Sequence, residues 1–306
     1  MRAFSALSRL GPERSLVSAT CWPGLPEMPE LPQMQALAER LDCAVAGATI
    51  AAVELLGFSG LKTVLPPGQG LEGEKVLRVG RRGKYLVVSL SSGRRVLVHL
   101  SQAGRLDIEV PPKHTKPRGA VVRLVFGNGA GVLLREHGHE RKAGWWVLAT
   151  GDGGPLEGLG PEPSDKAFED RLLTSQDPRH LHTLLRDQRF VAGVGRGYAD
   201  DALNRAGLSP FSSLSSLNES DRRRLVAVVR SVISDAIASE RLRTGGLSEP
   251  KLGTGFAVHN RAGRPCPVCG EPLLRVSYES HEVVYCKRCQ TKGRLLADRR
   301  LSRLLK

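Results

Sequence analysis

The sequence lacks a long apolar run, an acidic majority and the cysteine pattern of a disulfide-bonded protein. No stretch is apolar enough to span a bilayer. Residues 1–27 are rich in Ser, Leu and Arg, but they contain no continuous apolar core of the kind that a secretory signal needs. These absences argue against a membrane protein and predict a cytoplasmic one. The sequence also shows no internal repeat and no low-complexity tract.

Acidic residues are outnumbered, since 45 Lys and Arg residues face 31 Asp and Glu residues and leave a formal net charge of +14. Such an excess favours a polyanionic partner, because cations that neutralise phosphates release counterions. A generally basic protein without such a partner is the alternative on charge alone. The length of 306 residues is enough for two or three modest domains with a sizeable core.

Cysteine is scarce, with six residues, and four of these form two close pairs while Cys21 and Cys43 stand alone. The paired residues are Cys266, Cys269, Cys286 and Cys289. Two-residue spacing at a tight turn lets both thiolates of a pair face one tetrahedral ion, so the four favour one structural zinc ion. Free or redox-active thiols are the alternative. A closed four-sulfur site leaves no open position for water, so any catalysis is expected elsewhere.

The first half of the sequence predicts one helix followed by antiparallel strands. Met34, Leu37, Ala38 and Leu41 recur at the spacing of one helical face. Strands are predicted at KVLRVG, KYLVVSL, RRVLVHL, GRLDIEV and GWWVLAT, and a further hairpin at AVVRLVFGNGAGVLLRE. This half is therefore expected to be a mostly antiparallel β domain with an N-terminal helix.

The second half predicts a linker, helices and a basic cysteine-bearing end. Residues 151–165 are rich in Gly and Pro, which indicates a linker. Helices are predicted at RHLHTLLRD, YADDALNRAG and LNESDRRRLVAVVRSVISDAIASERLR, the last capped by Asn218 or Ser220. Residues 244–265 are expected to be mobile, and RVSYESHEVVYC alternates like a pair of strands.

The stretch LPEMPELPQMQALAERL, residues 25–41, contains what resembles a second translation start at Met28. If translation starts at Met28 and this methionine is removed, Pro29 becomes an N-terminal secondary amine with Glu30 beside it. Such an amine can attack a sugar aldehyde to form an iminium ion, and a neighbouring carboxylate can move protons. The alternative is that PELP is only the extended entry into a helix.

Four motifs in this sequence resemble the formamidopyrimidine-DNA glycosylase / endonuclease VIII family. MPELPQMQALAERL resembles its opening, and VLRVGRRGKYLVVSL resembles the strand and loop that carry its catalytic lysine. DQRFVAGVGRGYADDALNRAGLSP resembles its helix-two-turn-helix signature, and CPVCG with YCKRCQ resembles its zinc finger. The motifs keep the family's order over residues 28–306, and LADRRLSRLLK resembles an actinobacterial branch.

The resemblance implies an α+β fold made of an N-terminal β-sandwich with an N-terminal helix, a helix-two-turn-helix domain and a C-terminal zinc ribbon. The implied domains are a catalytic β-sandwich domain at 28–150, a linker at 151–165, a DNA-binding domain at 166–260 and a zinc-finger domain at 261–306. Residues 1–27 are expected to be an extension that results from a start codon placed too far upstream. The implied activity is that of a DNA glycosylase with AP-lyase activity, a nucleoid-associated monomer that acts on double-stranded DNA with damaged bases or abasic sites.

The resemblance also implies site residues. Pro29 would be the Schiff-base nucleophile, Glu30 the general acid/base, and Lys84 a phosphate contact or proton donor at the tip of a β loop. Gly193, Gly195 and Gly197 would let the backbone approach a phosphate closely. The expected DNA contacts are His114, Arg141, Arg189, Arg196, His281 and Lys287.

Four positions depart from the family pattern. Arg196 stands in place of an asparagine in the helix-two-turn-helix turn, and His281 in place of a zinc-finger arginine; Gln33 replaces a glutamate and Gln102 a methionine. The residues for chemistry at the C1′ atom of the deoxyribose are present. AP-lyase activity is therefore better supported than excision of an oxidised purine. The alternatives are a catalytically impaired protein that binds lesions or abasic sites, and a zinc-ribbon module that docks on another protein.

Overall fold

The computed structural model describes residues 28–57, 60–137, 142–243, 255–277 and 282–296. Two expected DNA contacts, Arg141 and His281, lie outside these ranges, as do residues 1–27 and most of the basic tail. Within the described ranges, no helix combines the length and the apolar character needed to cross a membrane. These residues form an α+β protein with two four-stranded sheets, a group of helices and a small cysteine-bearing hairpin.

Helix α1 (Leu31–Val45) begins directly after Glu30 and carries the apolar face that the sequence predicts. Pro32 lies in the first turn, where its missing N–H costs no hydrogen bond. Met34 and Leu41, near the two ends of the predicted face, expose 0% and 3% of their surface. The amphipathic helix is therefore confirmed, and its buried face determines where it lies.

Eight strands form the two sheets of a β-sandwich. In chain order they are β1 (Ile50–Leu55), β2 (Val76–Arg82), β3 (Tyr85–Leu90), β4 (Arg95–His99), β5 (Gly104–Glu109), β6 (Ala120–Phe126), β7 (Gly131–Glu136) and β8 (Gly144–Leu148). One sheet has the order β1-β6-β7-β5 and the other β2-β3-β4-β8, with antiparallel neighbours throughout. Seven strands are predicted from the sequence. The exception is β1, whose alanines and bulge between Ile50 and Ala52 weaken the alternating pattern.

Helix α1 contributes to two separate apolar cores. Met34 and Leu37 belong to the interior of the sandwich, together with Trp145 from β8. Leu31, the first residue of the helix, belongs instead to the core of the helical group. Helix α1 therefore packs against both the β-sandwich and the helical group.

The helical group contains α2 (Lys166–Thr174), α3 (Leu181–Arg186), α4 (Arg196–Arg205) and α5 (Glu219–Leu242). Asn218 is the cap of α5, because its side chain accepts a hydrogen bond of 2.8 Å from the backbone N–H of Asp221. This decides between the two predicted caps in favour of Asn218. The sequence does not predict α2, which buries only Phe168 and Leu172 and so shows a weak periodic pattern.

The predicted linker at 151–165 is anchored to the sandwich. Glu162 accepts hydrogen bonds from the guanidinium of Arg81, at 2.7 Å, and from the backbone N–H of Gly83, also at 2.7 Å. Arg82 donates to the backbone carbonyl of Gly160 at 2.5 Å. The linker therefore holds the β2–β3 hairpin in place as well as connecting two parts of the chain.

The prediction of a mobile stretch at 244–265 is wrong for its second part; its first part, 244–254, lies outside the described residues. Phe256 and Val258 expose 5% and 0% of their surface. The carboxylate of Asp201 in α4 accepts hydrogen bonds of 2.8 Å from the backbone N–H groups of Val258 and of the residue before it. Apolar burial and a side chain that satisfies two backbone donors fix a segment that Gly and Pro content alone describes as loose.

A small hairpin of β9 (Leu274–Ser277) and β10 (Glu282–Tyr285) follows, and α6 (Lys287–Thr291) ends the described part of the chain. The two strands are antiparallel, with Glu282 opposite Ser277. The predicted pair of strands between the two cysteine pairs is thus confirmed.

We expect Glu74→Gln to destabilise the sandwich by about 2 kcal/mol at pH 7, with allowance for solvent screening. Burial by itself raises the pKa of Glu74, but hydrogen bonds, first among them those from Ser92 and Arg94, lower it to about 2. A lowered carboxyl pKa stabilises the folded state above its ordinary value of 4.5, and this stabilisation disappears as the pH falls toward 2.

The difference in urea midpoint between wild type and Glu74→Gln, followed by tryptophan fluorescence, measures this effect because Trp145 and Trp146 lie in β8. It should shrink by more than half between pH 7 and pH 3. Glu72→Gln, a change at an exposed neighbour, serves as the control. A pH-independent difference would contradict the assigned role of the carboxylate.

Candidate active site

The carboxylate of Glu30 is bound at the N-terminus of α4. The backbone N–H of Gly195 donates to Oε2 at 2.5 Å, and that of Gly197 donates to Oε1 at 2.9 Å. The N–H of Leu31 donates to the carbonyl of Gly193 at 3.0 Å. The first N–H groups of a helix lack partners within the helix, and its positive end favours a negative group. The start of α1 is therefore tied to the start of α4.

Two glycines of the GVGRGY motif make this approach possible. A Cβ atom on Gly195 would lie 2.3 Å from Cδ of Glu30. Gly193 has φ of +93°, and a Cβ atom there would lie 2.6 Å from Cδ1 of Leu31. No side chain fits at either distance. The close backbone approach that the glycines predict is thus an approach to the Pro-Glu entry of α1.

Lys84 lies in the turn between β2 and β3, at the loop tip that the sequence predicts, but it points into the protein. Only 8% of its surface is exposed. A Cβ atom placed on Gly195 would lie 2.6 Å from Nζ of Lys84. The same Cβ atom would lie 2.3 Å from Cδ of Glu30. The amine and the carboxylate therefore lie side by side against the backbone at the start of α4.

The surroundings of Lys84 lower its affinity for a proton. Burial lowers the pKa of Lys84, Glu30 raises it, and the positive charges of Arg196 and Arg186 lower it further, with a net decrease. His99 in β4 is close enough to be affected in turn. Burial, and then the charge of Lys84, lowers the pKa of His99 to about 4, so this histidine is neutral at pH 7.

Pro29 is buried and immediately precedes Glu30. Because Met28 precedes it in this chain, its nitrogen belongs to a tertiary amide, which has no proton and whose lone pair is delocalised into the carbonyl. The structure brings Pro29, Glu30 and Lys84 together around the N-terminus of α4. This proximity is compatible with one reaction centre.

Gln33 explains one departure from the family pattern. Its Oε1 atom accepts a hydrogen bond of 3.1 Å from the backbone N–H of Glu30, and its Nε2 atom donates to the hydroxyl of Tyr198 at 2.9 Å and to Oε1 of Glu240 at 3.0 Å. A glutamate could not donate to Glu240, which is itself buried. The amide therefore suits this site because α5 contributes a carboxylate.

We expect Gln33→Glu to lower the free energy of unfolding by about 3 kcal/mol at pH 7, since it places two carboxylates in contact in a buried site. The loss should lessen at low pH, where one of the two is protonated. The double variant Gln33→Glu, Glu240→Gln exchanges donor and acceptor and should recover most of the thermal stability. Equal melting temperatures for the single and double variants would contradict this account.

The four paired cysteines form one cluster, with their Sγ atoms all within 4.8 Å of one another. Sγ of Cys266 lies 4.0 Å from that of Cys289, and Sγ of Cys269 lies 3.5 Å from that of Cys286. Tetrahedral zinc with bonds of about 2.3 Å requires sulfur pairs about 3.8 Å apart. Burial raises the pKa of Cys266, but hydrogen bonds, beginning with that from Val268 N–H, lower it to about 7. The donor set therefore fits a metal ion.

Helix α4 also holds the cysteine-bearing hairpin. Asn204 donates to Oε1 of Gln290 at 3.0 Å and to Sγ of Cys266 at 3.7 Å. Gln290 in turn accepts from the N–H of Cys286 at 2.8 Å and donates to the carbonyl of Leu208 at 2.8 Å. All of these contacts are buried. The helix that binds Glu30 at its start thus fixes the metal module further along.

Sequence reasoning missed a buried acidic residue in the middle of α4. Asp200 lies 3.2 Å from Nε2 of His182 and 2.6 Å from Nδ1 of His259. All three side chains are at most 6% exposed. The available signal was the pair of adjacent acidic residues within YADDALN, on a short helix whose other residues are mostly apolar.

The expected DNA contacts occupy different surroundings. His114 is exposed between β5 and β6, and Arg189 is exposed between α3 and α4. Lys287 starts α6 and pairs with Glu271 at 2.9 Å. Arg196 is half-buried at the first position of α4, and its charge acts on Lys84. The sequence did not single out Arg186, which joins Arg196 in this effect.

Two known domains match this chain. The formamidopyrimidine-DNA glycosylase N-terminal domain matches residues 28–145, and the formamidopyrimidine-DNA glycosylase H2TH domain matches residues 159–245. The formamidopyrimidine-DNA glycosylase of Heliobacterium modesticaldum is 33% identical over 279 residues, which cover 86% of this chain and 100% of the relative. The two domain matches contain Glu30, Lys84 and the glycine-rich turn.

Solved structures agree with these matches. The crystal structure of the MutM (Fpg) protein from Thermus thermophilus is 32% identical, has a TM-score of 0.72, and covers 86% of this chain and 98% of its own. The Lactococcus lactis Fpg in complex with DNA containing an abasic site has a TM-score of 0.75 at 22% identity, covers 86% of this chain and 99% of its own, and supports the fold.

A β-sandwich joined by one shared helix to a helix-two-turn-helix unit, with a Pro-Glu pair at the junction, is the architecture of a class of DNA-repair glycosylases. The chain belongs to the formamidopyrimidine-DNA glycosylase family. Members of this family are DNA glycosylases of base-excision repair, and AP-lyase activity is typical of them. The fold class and family expected from the sequence are thus confirmed.

Proposed function

We propose that this protein removes damaged bases from double-stranded DNA or cleaves it at abasic sites, with the chemistry at Pro29 and Glu30. One observation carries the proposal: the carboxylate of Glu30 is fixed by two backbone N–H groups of α4, with Lys84 beside it. A proton-transfer group is therefore held directly next to the nitrogen of Pro29. Fixed placement of this kind is a major part of catalysis.

Pro29 acts as the nucleophile once it is N-terminal. Its nitrogen is then a secondary amine with a reference pKa of about 8, and the positive end of a nearby helix disfavours the protonated form. The amine attacks C1′ of the open-chain abasic sugar, the carbonyl oxygen takes up protons and leaves as water, and an iminium ion forms. Loss of a C2′ proton breaks the C3′–O bond and releases the 3′ phosphate, and water then frees Pro29. Glu30 transfers the protons.

The active form begins at Pro29, because an internal proline nitrogen cannot form an iminium ion. Residues 1–27 would then come from a start codon placed upstream of the one used in the cell. The mass of the N-terminal peptide isolated from native cells tests this point directly. We retain the division into a sandwich domain at 28–150, a linker, a helical domain at 166–260 and a zinc finger at 261–306 as part of the proposal.

One structural zinc ion would be held by the four cysteines, whose spacing suits a tetrahedral site. Bound zinc would supply rigidity to the hairpin and take no part in the reaction. The hydrogen bonds of Asn204 and Gln290 would keep the sulfur atoms oriented, as outer contacts do at metal sites.

The DNA would follow the basic surface between the sandwich and the helical group. Arg196, in place of the family's asparagine, would grip a phosphate with a charged and longer side chain. The further contacts in this proposal are His114, Arg141, Arg189, His281 and Lys287. Action on chromosomal DNA would place the protein in the cytoplasm, at the nucleoid.

Covalent trapping tests the proposed chemistry. We expect the form that begins at Pro29 to become attached to an abasic duplex in the presence of borohydride, with the DNA on the N-terminal peptide after proteolysis. Pro29→Gly, which has a primary amine at the same place, should be trapped less. Binding of the abasic duplex without any adduct at residue 29 would reject the lyase reaction through Pro29.

A second candidate is a lesion-binding protein without lyase activity. The observation in its favour is Arg196, whose positive charge acts on Lys84 within the site. Arg196→Asn separates the two cases. If Arg196 obstructs the reaction, this change raises the yield of cleaved strand, whereas a phosphate-binding arginine predicts equal or weaker activity. A flat dependence of DNA affinity on salt would favour a protein-docking module instead.

A further inference from the structure

We propose that Phe256 is a positioning residue of this site, whose ring fixes the backbone N–H of Gly197 against the carboxylate of Glu30. The inference rests on the proposed function, because it concerns the placement of the group that would transfer protons. It gives a part in the reaction to a residue outside the Pro-Glu entry, the Lys84 turn and the glycine-rich motif. Phe256 acts only through the residues that it contacts.

The first support is the direct packing of the ring on Gly197. A Cβ atom on Gly197 would lie 2.1 Å from Cζ, 2.3 Å from Cε1 and 2.6 Å from Cε2 of Phe256. These distances leave no space for another atom between the ring and the backbone. The N–H of the same glycine donates to Oε1 of Glu30 at 2.9 Å. Gly197 can therefore move toward Phe256 only if the ring moves as well.

The second support is a contact between the ring and Tyr198, the next residue of α4. The two ring centroids are 4.9 Å apart and the ring planes meet at 74°, an edge-to-face arrangement that aromatic pairs favour. The hydroxyl of Tyr198 accepts a hydrogen bond from Gln33, which in turn accepts one from the backbone N–H of Glu30. Phe256 thus packs against two neighbouring residues of α4 that each lead to Glu30 by hydrogen bonds.

The third support is the way in which the ring is itself held. Phe256 belongs to the apolar core of the helical group, whereas Val258 belongs to the core of the cysteine-bearing hairpin. The carboxylate of Asp201 accepts from the N–H of Val258 at 2.8 Å. The neighbouring carboxylate of Asp200 accepts from the N–H of Val284 in β10 at 3.3 Å. The segment that carries the ring therefore joins α4 to the cysteine-bearing hairpin.

The ring would influence the reaction through placement alone. Phenylalanine has no group that can transfer a proton, and Phe256 is only 5% exposed, so it offers little surface to DNA. Loss of the ring removes the support on one side of Gly197 and leaves a cavity into which α4 can shift. A displacement of about 1 Å can cost about 100-fold in rate. The chemical step should therefore depend on Phe256 more than the binding of DNA does.

Single-turnover strand cleavage at an abasic site, with saturating enzyme in the form that begins at Pro29, tests the proposal. We expect Phe256→Ala to lower this rate by about 10- to 100-fold. Its affinity for a duplex with a non-reactive tetrahydrofuran abasic site should change by less than about threefold. The backbone hydrogen bonds to Asp200 and Asp201 would still attach the cysteine-bearing hairpin to α4.

Phe168→Ala is the matched control, because Phe168 in α2 is a fully buried residue of the same apolar core. It should lower the urea midpoint as Phe256→Ala does, but keep the wild-type rate of cleavage. Phe256→Leu and Phe168→Leu repeat the comparison if either alanine variant fails to fold. Hydrogen exchange of the Gly197 amide, followed by NMR spectroscopy, reports on the contact without substrate and should be faster in Phe256→Ala than in Phe168→Ala.

An exchange of size between the two residues in contact provides a second test. Gly197→Ala places a methyl group against the ring and should slow cleavage. Adding Phe256→Leu removes the ring atoms that this methyl group meets, and should raise the rate again by about tenfold.

Equal rates for Phe256→Ala and Phe168→Ala overturn the proposal and leave the proposed function intact. The same holds for a Gly197→Ala rate that Phe256→Leu does not raise, and for a Phe256→Ala variant that loses DNA affinity at an unchanged rate. A wild type that cleaves no abasic duplex rejects the proposed function, and the role of Phe256 with it.

Discussion

We expect Glu30→Gln to lower the rate of strand cleavage at an abasic site by about 100- to 10,000-fold in the form that begins at Pro29, the range for loss of a proton-transfer group. The amide cannot accept a proton from C2′ or protonate the sugar oxygen. It also offers one acceptor oxygen where the carboxylate offers two, so one of the N–H groups of Gly195 and Gly197 loses its partner.

An unsatisfied buried N–H group costs about 1–3 kcal/mol, so Glu30→Gln also lowers the melting temperature. Single-turnover kinetics at saturating enzyme isolates the chemical step from weaker binding. Glu72→Gln, the same substitution at an exposed residue of the sandwich, leaves both backbone donors untouched and serves as the comparison. Cleavage by Glu30→Gln at the wild-type rate would remove Glu30 from the mechanism.

We expect Cys286→Ser to abolish the proposed stoichiometric zinc binding and to weaken binding to an abasic duplex by about 100-fold or more. Structural zinc contributes on the order of 10 kcal/mol to the folding of small modules, so three remaining ligands cannot keep the hairpin ordered. Loss of the hairpin also removes the partners of Asn204 on α4, which donates to both Gln290 and Cys266.

Metal content by mass spectrometry and fluorescence anisotropy with labelled duplex measure these two effects. Cys43→Ser is the matched control, because Cys43 is an exposed free cysteine outside the cluster. It should retain one zinc ion per chain and wild-type affinity. Wild-type DNA affinity in zinc-free Cys286→Ser would mean that the module has no part in binding DNA.

The local sequence pattern was sufficient to predict those elements whose own residues show a clear periodicity or spacing. The apolar face of α1, the hairpin turns of the sandwich and the spacing of the cysteines all depend on residues close together in the chain. Strand β1 and helix α2 were missed because each has a weak pattern and is stabilised by its neighbours in space.

The site itself was only partly predictable. The family motifs place Glu30, Lys84 and Gly195 in separate parts of the sequence, and nothing local shows that the three meet at one point. The burial of Lys84 and the pairing of Gln33 with Glu240 depend on how α5 and α4 dock against α1. Such contacts are decided by tertiary packing, which periodicity and residue spacing do not encode.

Because Leu31 belongs to the helical core while Met34 belongs to the sandwich core, the two lobes are thermodynamically linked through a shared helix. Any fluctuation that separates α1 from the helical group exposes the apolar surface around Leu31 and pulls Glu30 away from Gly195. On the proposed function, the groups at Pro29 and Glu30 would be assembled only while the two lobes are in contact. DNA that spans both lobes would then favour that state by mass action, so binding a duplex and assembling these groups would be one equilibrium.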